Sequence, residues 1–499
     1  MIARTISAVT ASTLLAVMLT ACAHAGGAPT APTTAAATKR AVATGVDPRS
    51  MTFEPVAFVP PTAERVVLEN GMVVYLLEDH ELPLVSLQAM MRVGSWLDPE
   101  GKDGLAEVTG QLMRTGGSSR QSAQEIDQTL EQIAASIGIS IGDESGSASL
   151  DVLKKDLGTG LKMLADLLRT PAFESDRLEL LRLEGLESIR RRQDQPAGIA
   201  AREFARLVYG PTHPYARESS VQSVKAITRD DVVAFHRAHL HPNGIVLGVS
   251  GDFEKAELLR LLREVFGDWA KGEVPTLTLP PVPAPPTGAA GKLPVYYVGK
   301  ETSQAHLRVG QLTLKENDPD YPAFAIVNDI LGGGGFRSRL FKDVRTNRGL
   351  AYSVGSRIQS NVRERSLWTM RAETKLASAQ EVVGRFLANM ERMRAEPVSD
   401  AELAEAKDAF VNAFVFSFAN SGSIVARLID LEYDGLPRDW LQQLRDKIVR
   451  LTKDDIQRVA QRVLDPAQVR VLAVGAPQGL SKALAGFGDV REIKLPPEG

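Results

Sequence analysis

The chain is predicted to be an α+β protein of two homologous domains, each an antiparallel-rich sheet with helices on one face, and three observations predict it. First, a segment recurs. Ile227-Thr228-Arg229-Asp230-Asp231-Val232 matches Leu451-Thr452-Lys453-Asp454-Asp455-Ile456 at an offset of 224 residues, and the same offset pairs Pro242 with Pro466 and Gly251 with Gly475. Second, a proline-rich stretch lies between the copies. Pro280-Pro281, Pro283 and Pro285-Pro286 lack amide donors and are fixed in φ, so 275–292 is a linker and not a helix or inner strand. Third, the first copy passes from strand-like runs to segments with apolar residues three and four apart, which is the order strands, then helices.

In chain order, residues 65–68 and 73–77 read as strands joined at Asn70-Gly71, a pair that favours a hairpin because both residues tolerate positive φ. A third strand is expected at 84–93. Helices are expected at 104–113, 122–136, 157–168, 175–193 and 199–208 from their apolar spacing. Near the end of each half a threonine N-cap, Thr228 or Thr452, precedes acidic residues that suit the first turn of a helix. A proline turn and a β-rich run follow, at 245–249 and 469–474. The domains are therefore bounded at 63–274 and 293–499.

Ahead of them, residues 1–21 read as an export signal, with Arg4 as the positive start and a mostly apolar run at 6–19 that is too short to span a bilayer. Leu19-Thr20-Ala21-Cys22 resembles the bacterial lipobox, in which the cysteine is lipid-modified after cleavage. Cys22 is the only cysteine, so no internal disulfide is available, and acylation accounts for an exported lone thiol. Ala23 at the next position favours the outer membrane by the same resemblance, giving an expected location in the cell envelope, facing the periplasm. Residues 22–62, rich in Ala, Gly, Thr and Pro towards their start, are expected to be a flexible tether. A net charge of −3 supplies no cationic field, so nucleic acid is not an expected partner.

The first half contains Arg92-Val93-Gly94-Ser95-Trp96-Leu97-Asp98-Pro99 before Gly104-Leu105-Ala106, then Ser122-Ala123-Gln124-Glu125-Ile126, Tyr209-Gly210, His213-Pro214-Tyr215 and Val249-Ser250-Gly251-Asp252. The second half adds Ser338-Arg339-Leu340-Phe341 and Arg348-Gly349-Leu350-Ala351-Tyr352-Ser353. Together these landmarks resemble the pitrilysin (insulinase-like, M16) family of zinc peptidases. In active members Gly-Leu-Ala leads into His-x-x-Glu-His, whose histidines bind zinc and whose glutamate activates the bound water. Here those positions hold Glu107, Gly110 and Gln111, and the third ligand position, in Leu186-Glu187-Ser188-Ile189-Arg190, holds Ser188. Adjacent Glu187 points about 100° away on a helix.

The resemblance therefore implies a chain that binds no cofactor of its own. Among the histidines only His236, His239 and His241 cluster; a helix C-terminus accounts for them, with metal binding as the alternative. The family also uses an arginine seven residues before a tyrosine to hold the substrate backbone, and Arg345 and Tyr352 fit that pattern. By spacing alone the two read as a helix-end cation and a strand aromatic. A glycine run, Gly332-Gly333-Gly334-Gly335, permits close backbone approach near the family's substrate path; without a following lysine it is no P-loop. The expected function is a non-catalytic subunit of a heterodimer. Its partner would be a zinc-bearing homologue, its substrate a peptide or unfolded polypeptide, and its lipid anchor Cys22. The alternative is an envelope binding or assembly scaffold with no proteolytic role.

Overall fold

A computed structural model describes residues 62–284 and 292–496. The export signal, Cys22, nearly all of the tether and Pro285-Pro286 lie outside the described residues.

The first domain runs β1 (Glu64–Val67), β2 (Val73–Glu78), β3 (Leu84–Met91), α1 (Leu105–Thr115), α2 (Ala123–Gln132), β4 (Ser136–Ile141), β5 (Gly146–Leu153), α3 (Leu157–Arg169), α4 (Ser175–Arg191), α5 (Pro196–Tyr209), α6 (Val221–Ala226), α7 (Arg229–His239), β6 (Ile245–Gly251) and α8 (Lys255–Phe266). The second runs β7 (Leu293–Gly299), β8 (Gln304–Leu312), α9 (Tyr321–Asn328), β9 (Ala351–Gln359), β10 (Leu367–Lys375), α10 (Ala379–Ala395), α11 (Asp400–Phe416), α12 (Ser421–Asp434), α13 (Trp440–Arg450), α14 (Lys453–Val463), β11 (Arg470–Gly475), α15 (Pro477–Leu484) and β12 (Gly488–Glu492).

Each domain is built on a six-stranded sheet, in the orders β1-β2-β6-β3-β5-β4 and β12-β7-β11-β8-β10-β9. The two orders superimpose strand for strand from β2 and β7 onward, which is the internal repeat in three dimensions. Both sheets are mixed: β2 runs parallel to β6, and β7 runs parallel to both β11 and β12, while the remaining pairs are antiparallel. The repeated Thr-x-x-Asp segments cap α7 and α14 in the same way, each threonine hydroxyl and its aspartate forming a reciprocal capping box.

Two local expectations are corrected. At the Asn70-Gly71 turn only Gly71 adopts positive φ, at 83°. Asn70 instead buries its side chain, donating to the Phe266 carbonyl at 2.7 Å and accepting from the Met72 amide at 3.2 Å. The helix expected at 122–136 ends at Gln132, and Ser136 begins β4, an edge strand whose Ile137, Ile139 and Ile141 point inward while Ser136, Gly138 and Ser140 face out.

Helices cover one face of each sheet over a large apolar core, and the opposite face receives a helix from the other domain. Helix α5 of the first domain lies on β8 and β11, where Ile199, Phe204 and Val208 pack with Leu312, Leu472 and Val474. Reciprocally, α12 of the second domain lies on β2, β3 and β6, with Val425 and Ile429 against Tyr75 and Val246. Gly248 makes room for it: a methyl group built there would stand 2.6 Å from Ile429 Cδ1 and closer still to Val425 Cγ1.

Polar contacts fix the same seam. Arg65 forms a two-pronged bond to Glu432 (2.8 and 3.1 Å), and Tyr75 donates to it at 2.7 Å. Arg363 bridges Glu144 at 2.9 Å and Asp434 at 2.8 Å, while the Tyr433 hydroxyl donates to the Glu144 carbonyl at 2.9 Å. Reciprocal helix exchange thus makes the described residues one body.

Candidate functional site

Helix α1 starts where Asp98 places it. The Asp98 carboxylate accepts from the Gly104 and Ala106 amides, each at 2.8 Å, satisfying donors that the first helical turn cannot. Burial dominates those bonds and pushes its pKa up to about 6.

The helix so oriented presents Glu107 and Gln111, one turn apart, to a cavity of about 730 Å³ whose far wall is α4, with Glu184 and Ser188. The positions expected from sequence spacing are therefore brought together. Their chemistry does not fit zinc. Gln111 spends its amide on Glu107, at 3.2 Å. Ser188 offers only a hydroxyl, and Glu187 turns away to Arg191 at 2.5 Å and Arg190 at 3.9 Å. Gly110 lies against β4, where a built methyl would be 2.6 Å from the Ile141 amide nitrogen, so a carboxylate side chain at the general-base position would force the β4 backbone or α1 to shift. Among the described residues no group of three His, Cys, Asp or Glu side chains is placed to hold a metal ion.

The histidine cluster at the end of α7 behaves as a helix terminus. His236 bonds the Leu168 carbonyl at 2.8 Å, His239 packs edge-on against Phe235, and His241 bonds the Ala238 carbonyl at 3.1 Å. Burial holds the pKa of His236 and of His239 below the usual range.

Arg345 and Tyr352 meet on the surface of the second domain. Arg345 lies in a π-helical segment, Phe341–Asn347, that is pinned from below by Asp343, which accepts from Arg348 at 2.9 Å and from Arg385 and Asn389 at 2.7 Å each. Gly349, at φ 62°, turns the chain into β9. There Ser353 pairs with Glu373 and Ala351 with Thr374, leaving Tyr352 as the extra residue of a β-bulge, which re-aims its side chain. The Tyr352 ring is 82% exposed and lies 4.4 Å from the Arg345 guanidinium carbon. Phe341 and Phe336, packed edge-to-face on each other, also approach this guanidinium, at 4.7 and 5.7 Å, with Phe336 76% exposed. Sequence reasoning missed this cage of three rings; its one signal was Phe336 directly after the glycine run.

That glycine run serves packing more than approach. A methyl on Gly332 would stand 2.6 Å from Ser356 of β9, one on Gly333 2.6 Å from Asn328, and one on Gly334 2.8 Å from the Asp329 carbonyl. Only Gly335, at φ 61°, faces open space.

The pair belongs to the second domain, whereas the α1–α4 cavity is lined by first-domain residues. Gln359 lines an interdomain cavity that meets the α1–α4 cavity at Asp143. Tyr352 is seven strand residues from Gln359, about 23 Å at 3.3 Å per residue.

A two-domain peptidase scaffold with a cleft between α1 and α4 is the class that this fold and site define. The chain belongs to the peptidase M16 family. The model described as Insulinase (Peptidase family M16) matches residues 73–205, and the one described as Peptidase M16 inactive domain matches residues 226–410. The degenerate positions 107–111 and 188 fall in the first of these stretches. An uncharacterized zinc protease of Mycobacterium bovis is 27% identical over 450 residues, 88% of this chain and 98% of that protein. The non-peptidase homolog YmxG of Helicobacter pylori is 24% identical over 383 residues, 76% of this chain and 86% of that one. Among solved structures, a peptidase M16 inactive domain from Pseudomonas fluorescens matches with a TM-score of 0.74 and 25% identity, covering 83% of this chain and 98% of its own. A protease from Helicobacter pylori, with a TM-score of 0.71 and 19% identity over 83% of this chain and all of its own, shares the fold.

Proposed function

We propose that this chain is the non-catalytic half of an M16 peptidase pair, lending Arg345 and Tyr352 to the site of a zinc-bearing homologue that cleaves peptides or unfolded polypeptides. One observation supports the reading: among the described residues the α1–α4 cleft has no ligand set for zinc, while Arg345 and exposed Tyr352 stand together on the other domain, outside the lining of that cleft. A planar guanidinium held against aromatic faces keeps its outer edge for a carbonyl or oxyanion, and Tyr352 adds a hydroxyl beside it. The substrate in this reading joins the edge of a sheet as an added strand. An export signal at 1–21 and lipid on Cys22 would tether the pair in the cell envelope, on the outer membrane facing the periplasm.

The test is reconstitution with the zinc-motif homologue from the same genome. Joint peptidase activity is expected, falling by about 10²-fold or more in Arg345→Ala if a transition-state donor is lost, with Arg345→Lys recovering part and Tyr352→Phe impaired. A partner equally active with and without this chain would sink the proposal.

A further inference from the structure

The exchanged helices leave a cavity on the outer face of each sheet, and the two cavities differ in charge. In the first domain the cavity, about 450 Å³, is walled by Gln88 of β3 and Ser149 of β5, with Ala426, Ile429 and Asp430 of α12 alongside. In the second it is about 180 Å³ and walled by Arg308 of β8 and Arg371 of β10, with Ala197 and Ala200 from the first turn of α5. These positions correspond. Gln88 stands opposite Gly248 and Arg308 opposite Leu472, and the 224-residue offset that relates the domains pairs Gly248 with Leu472. Their cross-strand partners are Ser149 and Arg371. The scaffold therefore accepts a neutral pair at this place and does not require cations there.

Two arginines directly opposite on neighbouring strands repel, and such a pairing destabilises a sheet unless something neutralises it. Among the described residues no carboxylate pairs with either arginine. Among the described residues neither Arg308 nor Arg371 forms an ion pair or a side-chain hydrogen bond, and burial with the Arg371 charge draws the Arg308 pKa down. The one carboxylate at the rim, Glu373, lies 3.7 Å from His306 Nδ1, itself buried without a hydrogen-bond partner. Ser353 adds a hydroxyl. Arg470, on the same face of β11 and 3% exposed, also has no carboxylate partner among the described residues.

We infer that the cavity bounded by Arg308, Arg371, Ser353 and the first turn of α5 is a binding site for a compact oxyanion, a carboxylate or a phosphate group. Two planar guanidinium forks side by side on neighbouring strands can grip such a group together. A volume of about 180 Å³ admits the anionic group and a few attached atoms and excludes a nucleotide or a folded partner. The inference stands apart from the role of Arg345 and Tyr352.

Titration calorimetry on the full chain tests it, with inorganic phosphate as one probe and a short glutamate-containing peptide against its glutamine counterpart as the other. Binding of phosphate, or of the acidic peptide in preference to the neutral one, is expected, and which of them binds identifies the source of the oxyanion. Arg371→Gln, at an exposed position, and Arg308→Gln should each weaken that binding at least threefold. Without anion both variants should melt at or above the parent temperature, because a repulsive pair has been relieved. Should Arg308→Gln misfold, Arg308→Lys, which keeps the charge and loses the fork, reads the same contact. Failure of both probes to bind the parent chain, or binding within threefold of it by Arg371→Gln, overturns the inference.

Discussion

Placing a methyl group on Gly248 should unseat α12 and loosen the seam between the domains. Carbon atoms pack at about 3.5–4.0 Å. The Cβ of Gly248→Ala would lie 2.6 Å from Ile429 Cδ1 and nearer to Val425 Cγ1, so α12 must retreat by more than about 1 Å or its side chains must leave their rotamers. Overpacking of this size costs about 1–3 kcal/mol, and the better strand propensity of alanine returns about 0.5–1 kcal/mol at most. A net loss of about 1–2 kcal/mol is expected from urea unfolding. Val425→Ala removes the atom that clashes most, so the double variant should be less destabilised than the sum of the singles by about 1 kcal/mol. Because α12 also carries Glu432, Tyr433 and Asp434 into the seam, limited proteolysis should cut the linker region faster in Gly248→Ala. Additive single effects, or a Gly248→Ala chain as stable as the parent, would refute helix exchange as the lock between domains.

Gly110→Ala should cost about 1–3 kcal/mol through the Ile141 backbone, and rebuilding the full motif as E107H, G110E and Q111H should lower the melting temperature further than Gly110→Ala alone. Tyr352→Ala should change stability by less than about 0.5 kcal/mol, since the ring is exposed, so any loss of joint activity in that variant reflects the site and not the fold. Glu402 is held down to about 2 by the two-pronged Arg339 contact and the Ser399 cap, below its ordinary 4.5. Its contribution is present above pH 4.5 and fades as pH falls towards 2; Arg339→Met should flatten that acid limb, by about 2–3 kcal/mol at most, in urea titrations at pH 6 and pH 3. Asp98 has the opposite sign: its folded pKa of about 6 lies above 3.8, so its contribution weakens as pH rises through that window, and Asp98→Asn should remove that slope.

Much of this was legible because helices and repeats have fixed periods. Positions 107 and 111 are one turn apart on any helix, and α4 brings Ser188 to the same cavity without special geometry. Capping boxes at Thr228 and Thr452 marked the same helix in both copies. Strand β4 was harder to read. Its isoleucines alternate, but the outward Ser136, Gly138 and Ser140 carry little strand propensity, and the helical spacing of α2 ran into it. The exchange of α5 and α12 could not be read at all, because periodicity reports that a helix face is buried and not which sheet buries it. Arg345 and Tyr352 were found by resemblance; their meeting depends on a π-helical turn, a left-handed Gly349 and a bulge, none of which has a fixed spacing.

The cleft between α1 and α4 shows that more than ligands separates this chain from a zinc site. Were Glu107, Gln111 and Ser188 the only departures, three side-chain changes would suffice to rebuild it. Gly110 argues otherwise, because the backbone of β4 lies where a side chain at that position would go, and α1 is anchored there by the Asp98 cap at one end and by Arg114, whose Nε donates to the Ile137 carbonyl at 2.8 Å, near the other. A helix held at both ends against that strand cannot retreat to admit a glutamate without losing one of the anchors. The sheet edge and the helix are thus committed to each other by packing, so rebuilding the ligand positions would also require β4 and α1 to shift apart.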